Sequence, residues 1–262
     1  MKKAVFLVLA TLILWACAKV PFTDRRQIKL LPTSQLDAMA LDNYAAFMAE
    51  NVTSSNKAQE QLVKQVGVKL KDALLRYSKK SGLSKSISAY NWEFNLVQSP
   101  EVNAWAMPGG KVVFYSGIMP ICQNDAGVAA VMGHEIAHVL AHHGNERMSQ
   151  GLVTQFGGMA LQVAINEKPE ATKSLFMTAY GVGTQIGVML PFSRLHESEA
   201  DRIGLIIMAM AGYDPHAAVD FWTRMSQKGG GQPPEFLSTH PSHSTRIANL
   251  NKYMAEAMTY YK

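Results

Sequence analysis

A chain of 262 residues with 48% hydrophobic side chains is long enough to bury one sizeable core. Its mean hydropathy lies near zero, which speaks against a bundle of membrane spans. The formal charge is +5 from 25 basic and 20 acidic residues. These are scattered, with no basic patch interleaved with aromatics, so a nucleic-acid partner is not expected.

Lys2 and Lys3 precede an apolar run over residues 4–14, too short to span a bilayer. Residues 1–16 read as a signal peptide of the lipoprotein type. Leu14-Trp15-Ala16-Cys17 resembles a bacterial lipobox, in which Cys17 is diacylated and becomes the new N-terminus. Trp15 is bulky for that pattern, and Ala16-Cys17-Ala18 offers ordinary signal peptidase a rival A-x-A site. Residues 17–32 are expected to be a linker and residues 33–262 the folded domain.

Thr33-Ser34 can cap a helix that carries Leu36, Met39, Ala40, Tyr44 and Phe47. A second helix places Leu62, Val66, Leu70 and Leu74 at fourfold spacing, with Gly82 near its end. The period then changes. Tyr90, Trp92, Phe94 and Leu96 alternate with polar residues, as in a half-buried strand. Residues 102–107 and 111–115 form two further extended runs around a Pro108-Gly109-Gly110 turn. From about Asp125 the pattern is helical. Residues 151–192 are rich in Gly, Ala and Met, but Thr178, Thr184 and Gln185 point to a packed helix rather than a span.

His134-Glu135-Ile136-Ala137-His138 carries the chemistry. Two imidazoles four residues apart share one helical face, separated by about one 5.4 Å turn. Both can donate to one tetrahedral Zn²⁺ per chain, and Glu135 stands where a carboxylate takes a proton from an activated water. Val128, Val131, Met132, Ile136, Val139 and Leu140 make this helix buried, where ionisable groups are costly unless something binds them. The metzincin pattern needs Gly at 141 and His at 144, whereas this chain has Ala141 and Gly144. A carboxylate on a later helix is the alternative third ligand. Glu197 and Asp201 lie four apart on one face, the first placed to ligate and the second to orient a ligand histidine. Glu199 points about 200° from Glu197, toward expected solvent.

These motifs resemble the zinc metallopeptidase family that includes HtpX and the prenyl-protein (CAAX) peptidases. The likeness is nearer to its soluble periplasmic lipoprotein branch, typified by BepA and LoiP and related to the mitochondrial OMA-type protease. It is carried by His134-Glu135-x-x-His138 with Glu197-x-x-x-Asp201. Residues 20–27 (VPFTDRRQ), 103–110 (NAWAMPGG) and 236–241 (FLSTHP) also match. The resemblance implies an α+β, mainly helical, zincin-like fold with a small β-sheet and an HExxH helix. It also implies a metalloendopeptidase with His134, His138 and Glu197 on zinc, Glu135 as general base and Asp201 behind the ligands. Asn103, Ala104, Trp105 and Ala106 correspond to the family's substrate-binding edge, and His240 to its C-terminal motif, where it would stabilise the oxyanion or block the metal. The implied substrates are misfolded or misassembled envelope polypeptides. The implied location is the periplasm, lipid-anchored at the inner face of the outer membrane. A lipoprotein chaperone or assembly scaffold with minor proteolysis is the competing class.

His142 and His143 are expected on the motif helix as surface or packing residues, and His196 to point away from the site. His216 follows the helix-start pair Asp214-Pro215, and His243 is expected to be exposed. Cys122 is expected to be a buried, unpaired thiol.

Overall fold

The computed structural model describes residues 17–81, 87–228 and 242–262. The leader, Gly82 and the Phe236–Pro241 motif lie outside the described residues, and His240 with them. The fold is α+β and mainly helical, as expected.

Residues 17–32 do not form a free linker. Strand β1 (Cys17–Lys19) pairs antiparallel with β2 (Arg26–Ile28), and the bend between them is pinned to the body. Val20 is buried and Phe22 stacks on Tyr77 with ring centroids 4.8 Å apart. Burial of these two apolar side chains, with Arg25 described below, holds the segment down.

Helix α1 (Thr33–Glu50) buries only Ala40 and Tyr44. Helix α2 (Lys57–Ser81) buries Val66, Leu70 and Leu74 completely, the fourfold spacing bringing them onto one stripe. Strands β3 (Glu93–Val97), β4 (Ala104–Met107) and β5 (Lys111–Tyr115) form a sheet in the order β3-β5-β4. β5 is parallel to β3 and antiparallel to β4. Being central, β5 is buried on both faces: Val112 and Phe114 join the main core, and Val113 and Tyr115 join Tyr44 and Val97. Gly109 and Gly110 both take positive φ in the β4–β5 turn. β4 is the sheet edge, and among the described residues no strand pairs with its other side.

A short helix α3 (Met119–Cys122) leads to α4 (Asp125–Leu140), whose N-terminus is capped by the Asn124 side chain accepting from Gly127 N at 2.9 Å. Cys122 is fully buried, and burial pushes its thiol up to about 12. His142 at φ 53° breaks the helix. A new helix, α5 (His143–Ala164), starts there, so the expectation of one helix running through His143 does not hold. Helix α6 (Glu170–Thr184) continues through a π turn (Gln185–Met189) into α7 (Leu190–Met210). Contrary to the expected packing, no residue of α6 is buried. Helices α8 (His216–Gln227) and α9 (His243–Met258) close the core, with Arg202 making a two-pronged ion pair to Glu256 at 2.7 and 2.8 Å.

The crossing of α4 and α7 is set by glycine. A Cβ on Gly133 would lie 2.9 Å from the Gly204 carbonyl oxygen, and one on Gly204 would lie 2.9 Å from the His134 backbone nitrogen. Two missing side chains thus let the HExxH helix touch the helix that carries Glu197.

Candidate metal centre

His134 and His138 face α7, and Glu197 meets them from about two turns before the glycine crossing at Gly204. Their Nε2 atoms are 3.1 Å apart, and each lies 3.4 Å from a Glu197 carboxylate oxygen. The three donors fit a metal. Tetrahedral Zn²⁺ with bonds of about 2.0–2.1 Å requires donor separations of about 3.3 Å. His134, His138 and Glu197 form the one such group of donors among the described residues.

The side chains behind the triad fix its orientation. His134 Nδ1 lies 3.0 Å from Asp201 Oδ1, the arrangement expected for a carboxylate that orients a ligand imidazole. Burial and Arg246 work against a charged His134, but Asp201 and Glu197 outweigh them and hold its pKa up at about 9. Burial drives His138 down to about 3. Two charged rings 3.1 Å apart would repel, so at most one of the pair carries an added proton, and a bound metal displaces it.

His138 has a different partner, which sequence reasoning did not anticipate. Its Nδ1 lies 2.8 Å from Nδ1 of His143, which is fully buried, and His143 Nε2 lies 3.0 Å from Glu199 Oε2. Ligation through Nε2 leaves the proton of neutral His138 on Nδ1. That proton is donated to His143, whose own proton then sits on Nε2 and is donated to Glu199. Glu199 is 6% exposed, so its expected solvent position is wrong. It does point away from Glu197, but that side of α7 is covered by α5 and the N-terminal segment.

Arg25 completes the network. Its Nε donates to Glu199 Oε2 at 2.9 Å, and its two terminal nitrogens donate to Glu146 at 2.9 and 2.7 Å. Thr23 Oγ1 donates to Glu199, and His196 Nε2 meets Glu146 Oε2 at 2.9 Å. His196 therefore points away from the triad, as expected, and stacks on His143 at 4.3 Å. Burial alone would raise both acids, but hydrogen bonds from His143, Arg25 and Thr23 hold Glu199 at about 2, and those from His196 and Arg25 hold Glu146 at about 2.

Arg246, from α9, is a second unforeseen member. It donates to Glu197 Oε2 at 3.1 Å and to both Asp201 oxygens, and its guanidinium lies 3.6 Å from the centroid of the Trp222 ring. Its charge offsets two buried carboxylates that would otherwise repel each other. Arg25 lay inside a quoted motif, so its position was visible although its role was not. Arg246 had no comparable signal.

The triad opens into a cleft of about 660 Å³. Asn103, Ala104, Trp105 and Ala106 line one wall and Trp222, Met225 and His243 another. His243 is thus half-buried in the cleft wall, not exposed as expected. Glu135 lines the cleft beside the triad, and burial pushes its carboxyl up to about 7.

The pattern of Peptidase family M48 matches residues 65–254, which include the triad, Glu135 and Asp201. The chain belongs to peptidase family M48. Its M48 relatives include the mitochondrial metalloendopeptidase OMA1 of Schizosaccharomyces pombe, 33% identical over 240 residues. That match covers 91% of this chain and 66% of the relative. OMA1 of Saccharomyces cerevisiae is 35% identical over 184 residues, 67% of this chain and 51% of the relative. The beta-barrel assembly-enhancing protease of Escherichia coli is 32% identical over 164 residues, 60% of this chain and 33% of the relative. The chain thus spans two thirds or less of the length of these relatives.

Proposed function

We propose that this M48 chain is a zinc-dependent endopeptidase of the bacterial cell envelope that hydrolyses misfolded or misassembled envelope polypeptides. The observation that carries the reading is the His134–His138–Glu197 donor triangle with Glu135 beside it, at the floor of a cleft edged by β4. When bound, Zn²⁺ supplies Lewis acidity that polarises the scissile carbonyl and makes a coordinated water acidic near neutral pH.

The side chains supply the rest. An extended substrate adds to the free side of β4 through backbone hydrogen bonds, which tolerate many sequences. Glu135, poised near neutrality, takes the proton of the attacking water and returns it to the leaving amine. Asp201 and His143 hold the two imidazoles in their ligating orientations, and Arg246 holds Glu197. His240 remains a proposed oxyanion donor or blocking ligand from its motif alone.

The envelope location rests on the lipobox-like Leu14-Trp15-Ala16-Cys17 with its charged and apolar flanks. The name of the E. coli relative, a protease that enhances β-barrel assembly, favours the same setting.

The deciding experiment is Glu135→Gln. The variant should keep its zinc and its melting temperature and lose casein cleavage by a factor of about 10² or more. Undiminished cleavage by the metal-loaded variant would overturn the mechanism. Cys17→Ser should abolish acyl labelling; processing and solubility unchanged from the parent chain, with no acyl label in either, would instead favour cleavage after Ala18.

A further inference from the structure

Between the HExxH helix and the helix bearing Glu197, the chain inserts a helical hairpin whose composition is symmetric about its tip. Residues 148–166 hold no charged residue, and neither do residues 174–193. Arg147 precedes the first run and Arg194 follows the second, while Glu167, Lys168, Glu170 and Lys173 cluster at the tip. Helical runs of this length measure about 30 Å, the thickness of bilayer hydrocarbon.

The surface of this hairpin is apolar and uncovered. Val153, Phe156 and Val163 on α5 are 52%, 62% and 78% exposed, and Leu175 and Val182 on α6 are 69% and 54% exposed. The continuous helix Glu170–Met210 is long and apolar enough to cross a membrane, and its apolar window is almost wholly unburied. It is therefore neither the core helix of a soluble domain nor an N-terminal signal, the two usual reasons for such a segment. An apolar surface of this extent on one element marks a partner.

Two hydroxyls of the hairpin are satisfied within it, as a medium without water demands. Tyr180 Oη donates to the Thr154 carbonyl at 2.7 Å, and Thr184 Oγ1 donates to the Tyr180 carbonyl at 2.9 Å. The Tyr180 ring seats on Gly157 and Gly158, where any Cβ at Gly157 would lie 2.2 Å from the hydroxyl oxygen. Small residues at a helix contact are what packing in lipid uses.

We propose that this hairpin inserts into the hydrocarbon of a lipid bilayer, independently of any acyl chain on Cys17. The charge-free length, charged tip and arginine-flanked base select lipid over a second protein, whose docking would not require either run to lack charge throughout. Arg147 both ends the first run and lines the catalytic cleft, so insertion places the cleft mouth at the headgroup layer. Polypeptides held at a membrane surface then become the accessible substrates. The membrane contact itself does not depend on the proposed peptidase reaction.

The test uses the full chain with Cys17→Ser, which carries no acyl anchor, and vesicles of phosphatidylethanolamine and phosphatidylglycerol. The protein should float with the vesicles and stay bound at high salt. A fluorophore on Leu175→Cys should shift to the blue and be quenched by brominated acyl chains, whereas one on Lys64→Cys should not. Leu175→Glu with Val182→Glu should lose flotation while zinc content, melting temperature and lipid-free casein cleavage stay unchanged. Flotation that survives the double substitution, or a label that acyl-chain bromine does not quench, would overturn the proposal. So would a blue shift that follows protein concentration without lipid, since a second copy would then cover the face.

Discussion

The Nδ1 atoms of His138 and His143 lie 2.8 Å apart, and this contact couples the candidate metal triad to the N-terminal segment. The line runs from His138 through His143 and Glu199 to Arg25 and Thr23, joining parts of the chain more than 110 residues apart. Each step has a defined donor and acceptor once His138 ligates through Nε2. Because the network lies behind the ligand and away from the cleft, it acts on metal retention rather than on substrate.

His143→Ala should therefore weaken zinc binding by about 10–100-fold, the usual cost of losing a group that orients a ligand. Competition with a chromogenic chelator measures this directly. Arg25→Ala leaves Glu146 and Glu199 short of their shared counter-charge and should destabilise the zinc-free protein by about 3 kcal/mol. Zinc affinity unchanged in His143→Ala would show that the contact is packing alone.

Along α7 the effects should be graded. Glu197→Gln removes a direct donor and should leave the protein largely free of zinc after dialysis. Asp201→Asn keeps size and one hydrogen bond, and should cost about 10–100-fold in affinity. Metal analysis of the two purified variants checks the ranking, and a larger loss in Asp201→Asn would reverse the assignment.

Acid should release the N-terminal segment. Glu146 and Glu199 have folded pKa values of about 2, below the ordinary 4.5. A depressed pKa contributes stability that is complete above the unfolded value and is lost as pH falls through the folded one. The melting temperature of the chelator-treated protein should accordingly decline between pH 4.5 and 2, and less steeply in Glu199→Gln. An equal slope in the two proteins would mean that other carboxylates dominate.

The HExxH triad was legible because its information is local. Two residues four apart share a helix face whatever the rest of the fold does, and Glu197 and Asp201 obey the same rule. The strands were legible from local signals too, the period-two pattern placing β3 within three residues of its bounds and the Pro108-Gly109-Gly110 turn placing β4 within two residues and β5 at its observed bounds. Glu199 shows where such reasoning stops. Its direction relative to Glu197 was right, but whether that direction meets water or another helix depends on what packs there. His143 shows a second limit, since a single left-handed residue, His142, restarted the helix and carried His143 beneath the site.

The sequence by itself therefore determined which residues offer donors, which carboxylate stands beside them, and the alternation of sheet and helix, all properties of spacing along one element. Only the tertiary structure decided that Arg25 and Arg246 neutralise buried acids, that residues 17–28 dock instead of trailing, and that the hairpin beyond residue 150 stays largely uncovered. The physical reason is common to all three. Burial and charge pairing arise between elements distant in the chain, and the free energy of a buried carboxylate is set by its neighbour in space.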